Sequence, residues 1–188
     1  MAIGTSLLSG RFLFVRDRKD SAFRCFFFFS VFSIFLYEVY QSWLQYGYWR
    51  NGGGISQYLL PPYNSSFYFF QYVGFRFFAP WAVAFLISLV FPILAKFINK
   101  KCGERFFYAE EPWIAAIGFF LSGYPGWLYY SLVFLIVFLL AHLFVNLFLR
   151  KKNERISSYY LWLPAAIFVI IIQEFWLSHV EWLNFLRI

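Results

Sequence analysis

Glu110 and Glu111 stand side by side at the head of one apolar stretch, and His142 and Asn146 lie four residues apart in the next. Carboxylates and imidazoles are the side chains that hold protons, bind divalent metals or activate water. Polar groups inside hydrocarbon are costly and usually carry a purpose, which makes these four the candidate site residues. In catalysis, Glu111 or Glu110 would polarise a water, His142 would be its partner, and Asn146 would orient the imidazole. The residues alone name neither a metal nor a cofactor.

Spacing says which of these groups can meet. Glu111, Ala115, Gly118 and Ser122 follow one another by four, three and four residues, and so share one helical face. That face is small and suits close helix–helix approach in lipid. Glu110 shares its face with Ile114, Ile117 and Leu121, nearer the headgroups, so Glu111 is the glutamate expected to face protein. Ser131, Phe138, His142 and Asn146 line one face of the following segment. Counted from Arg105 and Arg150, Glu111 and His142 lie roughly 9 and 12 Å below one edge, at 1.5 Å per residue, a depth match that lets them pair. A plainer reading stands beside this one. Glu110-Glu111-Pro112 also has the acids and the proline of a helix N-terminus, and His142 can simply bond a neighbouring helix.

Composition decides what carries these residues. Of 188 residues, 62% are hydrophobic and 13% charged, against roughly 25% charged in an ordinary soluble domain. The mean hydropathy is +0.62. The expected fold is all-α: a polytopic integral membrane bundle in a single domain, with spans at 23–44, 75–98, 106–121, 127–149 and 159–177. Each approaches the ~20 residues a bilayer crossing needs. Residues 45–73 form the long connection, with Asn51-Gly52-Gly53-Gly54, Pro61-Pro62 and Asn64-Ser65-Ser66 as turn signals. Its aromatic content predicts that it lies on the membrane surface, and Asn64-Ser65-Ser66 also fits a glycosylation acceptor. Pro92 predicts a kink in the second span.

Charge sets the expected topology. Thirteen of the 16 Lys and Arg flank the same ends of the spans, which predicts a cytoplasmic N-terminus and an extracytoplasmic C-terminus. The first apolar run is expected to be a retained anchor. The net charge of +7 flanks membrane segments and forms no stripe, so nucleic acid is not an expected partner. The lipid bilayer is, and with it either other membrane proteins or a peptide substrate. Cys25 and Cys102 give neither a disulfide framework nor a zinc spacing. Glu38, Arg76, Glu174 and His179 form a second polar set at the other end of the spans, where Arg76 is expected to pair with Glu38 or Glu174 and fix helix rotation.

The segment from Glu110 to Asn184 resembles the CAAX-protease and bacteriocin-processing membrane glutamic peptidases. That family pairs Glu-Glu-x-x-x-Arg with Phe-x-x-x-His about thirty residues on, then His-x-x-x-Asn. Here Glu110-Glu111 precedes Phe138-Leu139-Leu140-Ala141-His142, and His179 precedes Asn184, while Ala115 stands at the arginine position. The resemblance implies that a glutamate and a histidine activate water against a peptide bond near the membrane surface. The stretch from Ala115 to Gly126 and the helices after it are similar to the catalytic half of prepilin peptidases, with Glu110 where those enzymes place an aspartate. Two functional readings follow: a membrane-embedded peptidase-like protein using a Glu/His pair near the cytoplasmic face, or a non-enzymatic accessory or scaffold subunit of a membrane complex. A small transporter is a third, which five spans without a visible repeat fit poorly.

Overall fold

The computed structural model describes residues 4–52, 54–103, 107–108, 110–148 and 158–175. These residues form six α-helices: α1 (Gly4–Asn51), α2 (Ser66–Val73), α3 (Ala79–Lys101), α4 (Glu111–Ser122), α5 (Gly126–Phe148) and α6 (Tyr159–Phe175). Among the described residues there is no strand, and the fold is the expected all-α helical bundle. Three helical stretches, Ser21–Asn51, Ser66–Lys101 and Gly126–Leu147, are long and apolar enough to cross a membrane, while α4 and α6 are shorter apolar helices. The protein is an integral membrane protein on this ground.

The elements follow local chemistry, with three departures from the spans read in the sequence. First, α1 is one helix of 48 residues. It holds no proline, and it ends at Gly52, which donates its N–H to the Tyr48 carbonyl at 2.8 Å. Second, the 45–73 connection is largely helical. Residues 45–51 continue α1, a 3-10 turn covers Gly54–Leu59, and α2 leads into a π turn at Gly74–Phe78. Pro80 follows at the start of α3, and the widened turn before it suits a ring that clashes with the carbonyl four residues back. Trp49, Leu60, Phe69 and Val73 close this end as a small core of their own.

Third, α4 is short. Its 12 residues span roughly 18 Å, well under the ~30 Å of a hydrocarbon core. Pro112 sits in its first turn, where the missing N–H matters least. The helix ends at Gly123, whose φ of 64° only glycine adopts without strain.

Short as it is, α4 is the centre of the bundle. It contacts α1, α3, α5 and α6, and every residue from Ile114 to Phe120 is buried. A helix apolar all round is a core helix. One side, Ile114, Ala115 and Phe119, packs with Tyr130, Trp162, Ala165, Ala166 and Val169. The opposite side, Ala116, Ile117 and Phe120, packs with Phe27 and Ala84. Of the Phe26–Phe29 block only Phe27 turns inward, at 0% exposure against 52–66% for its three neighbours. Arg24 of α1 and Lys96 of α3 both lie on the Trp113 ring, at 5.3 and 5.1 Å, joining three helices at one end.

Candidate functional site

The glutamates occupy the start of α4. Glu110 is the N-cap residue and is half-buried. Glu111 is 1% exposed, and its Oε2 accepts the backbone N–H of Tyr108 at 3.1 Å. The carboxylate of the first helical residue thus satisfies a backbone donor just outside its own helix. The residue before is held as firmly. Asn99 of α3 donates Nδ2 to the Phe107 carbonyl at 2.9 Å and accepts the Phe107 N–H on Oδ1 at 3.1 Å. Asn99 and Glu111 thus satisfy the backbone of the non-helical stretch that feeds α4. The sequence carries no motif that marks Asn99, since the pairing spans a turn rather than a helical repeat.

His142 and Asn146 lie elsewhere. Tyr130, Phe134, Phe138 and His142 form a ladder of rings at four-residue spacing along α5, with centroids 6.4, 6.1 and 6.3 Å apart. The ladder starts in the core, where Tyr130 is fully buried and Phe134 stacks on Trp162 at 3.5 Å. It ends in the open, since His142 and Asn146 are exposed. The cause is length. Both helices leave the turn at Gly123–Pro125, but α5 has 23 residues and α4 has 12. The far end of α5 therefore overhangs α4 by roughly 16 Å.

The same count revises the depth match. Measured from the shared turn, Glu111 lies roughly 17 Å along α4 and His142 roughly 24 Å along α5. The match in the sequence was counted from Arg105 and Arg150, which lie outside the described residues, whereas the shared turn fixes both helices. Among the described residues no hydrogen bond or ion pair joins Glu111 to His142, and no group of three or more His, Cys, Asp or Glu is placed to hold a metal. The small face from Glu111 to Ser122 is buried as its spacing predicts. Its serine, like Ser131 on α5, bonds a carbonyl of its own helix, Gly118 for Ser122 and Trp127 for Ser131, each at 2.8 Å.

The second polar set departs from the expected ion pair. Glu38 is buried, and its Oε1 accepts the indole N–H of Trp81 at 2.8 Å, across 43 residues of sequence. Arg76 lies in the π turn and is exposed. An uncharged donor replaces the arginine because the π turn carries the Arg76 side chain outward while Trp81, at the start of α3, faces α1. Glu174 lines a smaller cavity of about 230 Å³ with Gln173, Ser122 and Trp81. His179 and Asn184 fall outside the described residues, as do Arg105 and Arg150.

No protein-family model, curated protein or solved structure matches the chain.

Proposed function

We propose that this chain is a non-enzymatic accessory or scaffold subunit of a membrane protein complex, and that the overhanging end of α5 is its mating surface. The observation behind this reading is the exposure of His142 and Asn146 on a helix otherwise apolar there. Leu139, Leu140, Leu143, Phe144 and Leu147 surround them, all more than half exposed. Leucine and phenylalanine are as content in lipid as against protein, so their exposure alone points to nothing. An imidazole and a carboxamide are different. In hydrocarbon they gain from a hydrogen-bonding partner helix, about 0.6–2 kcal/mol each. Burial of Glu111 as a backbone-satisfying cap favours a structural role for the glutamate over a water-activating one.

The test is the size of the native assembly. Wild-type chain, extracted in mild detergent and run on a native gel, is expected to migrate well above its own 22.5 kDa. The His142→Leu/Asn146→Leu double variant is expected to migrate as the lone chain while remaining in the membrane. The peptidase-like reading expects instead an unchanged assembly and an uncleaved peptide that accumulates when Glu111→Gln is introduced; that outcome overturns the proposal.

A further inference from the structure

A cavity of about 310 Å³ opens between α1 and α3, within the apolar stretches of both. Its size is at the lower end of the roughly 300–1,000 Å³ typical of small-molecule sites. Its walls are Ile34 and Phe35 of α1, Phe78 before α3, Trp81 and Phe85 of α3, and Phe120 of α4 at the buried floor. The rings are set against one another, Phe35 to Phe78 at 5.5 Å and Trp81 to Phe120 at 5.6 Å. The one ionisable side chain in the lining is Glu38.

That carboxylate is half satisfied. Trp81 donates to Oε1, and among the described residues nothing donates to Oε2. A buried carboxyl with no cation beside it either holds a proton or gains from a partner that supplies the missing charge. The lining contains no Lys, Arg or His to do so. A bare divalent ion is a poor fit, since calcium or magnesium needs six or more oxygens and the site offers one carboxylate. An acyl chain would fill the apolar volume and leave Oε2 unpaired. A protonated amine answers both needs. Its N–H donates to the carboxylate, and the faces of Trp81, Phe35 and Phe85 attract its charge. Phe35 and Ala82 are exposed at the mouth, giving an apolar tail a way out to lipid.

We propose that the Glu38–Trp81 cavity binds a lipophilic primary amine, with its ammonium on the Glu38 carboxylate and its tail leaving between α1 and α3 past Ala82. This site is independent of the α5 surface, so either can fail without the other.

The probe is dodecylamine carrying a photoactivatable diazirine in its tail, added to the full chain in nanodiscs of zwitterionic lipid. Labelling is expected on peptides spanning 31–38 and 78–85, displaced by plain dodecylamine but not by dodecanol. Glu38→Gln keeps an acceptor for Trp81 and removes the charge. It is expected to weaken binding by about tenfold or more, the scale of one charge-assisted hydrogen bond. Ala82→Trp plugs the mouth with Glu38 intact and is expected to abolish labelling, which keeps the test decisive if Glu38→Gln does not fold. Displacement by dodecanol as effective as by the amine, or undiminished labelling in either variant, overturns the proposal and leaves a slot for acyl chains only.

Discussion

Gly118→Leu will leave little folded protein, and Gly118→Ala will be less stable than wild type although alanine is the better helix former. A Cβ built on Gly118 collides with the phenol end of Tyr130. Tyr130 cannot step aside. It is fully buried, it donates to the Trp162 carbonyl at 3.1 Å, and Phe119 meets its ring edge-on at 4.9 Å. For alanine two effects compete: the gain in helix propensity is about 1 kcal/mol, and overpacking a filled core costs about 1–3 kcal/mol. The balance is a loss of up to about 2 kcal/mol for alanine, and more for leucine. Heating purified protein in detergent and following the folded fraction by size exclusion reads this directly. Combining Gly118→Ala with Tyr130→Phe removes the nearest colliding atom, so the pair is expected to lose less than the sum of the single changes. Strict additivity would show that the collision relaxes elsewhere.

Replacing Glu111 separates its structural role from a catalytic one. Glu111→Leu removes the acceptor for the Tyr108 N–H at a buried position, with an expected loss of about 1–3 kcal/mol. Glu111→Gln retains an acceptor oxygen of the same shape, so it is expected to keep most of that stability. Asn99→Leu, which frees both backbone groups of Phe107, should resemble Glu111→Leu, because the two side chains hold one short segment. The same thermal assay ranks the three. If glutamine proves as damaging as leucine, the negative charge itself is needed and the capping account is wrong.

How far the sequence carried can be judged at these positions. Hydropathy and turn residues located the apolar segments, and four-three-four spacing identified the small face of α4, because both signals are local and periodic. On α5 the spacing put Ser131, Phe138, His142 and Asn146 on one face but could not show that the far end of that face is exposed. It could not show that α4 begins only at Glu111, since Phe107-Tyr108 is as apolar outside a helix as in one. The two candidate groups separate in depth because α5 carries His142 further from the shared turn than α4 carries Glu111. Glu38 shows another limit. A search for opposite charges led to Arg76, whereas the partner is an indole N–H, which carries no charge and lies 43 residues away. The continuity of α1 through its polar N-terminal part was equally hidden, because a change in composition marks a membrane boundary without marking a helix end.

The most direct test of the central claim, that the exposed far end of α5 meets another protein, is site-specific photocrosslinking in intact membranes. A photoreactive amino acid would be placed singly at 139, 142, 143 and 146, and at exposed control positions 93 and 94 on α3. The account predicts one discrete higher-mass species from 142 and 146, strongest on the face they share and absent from the controls. Crosslinks to lipid alone at all six positions would contradict it, and α5 would then be a lipid-facing helix whose polar end serves no partner.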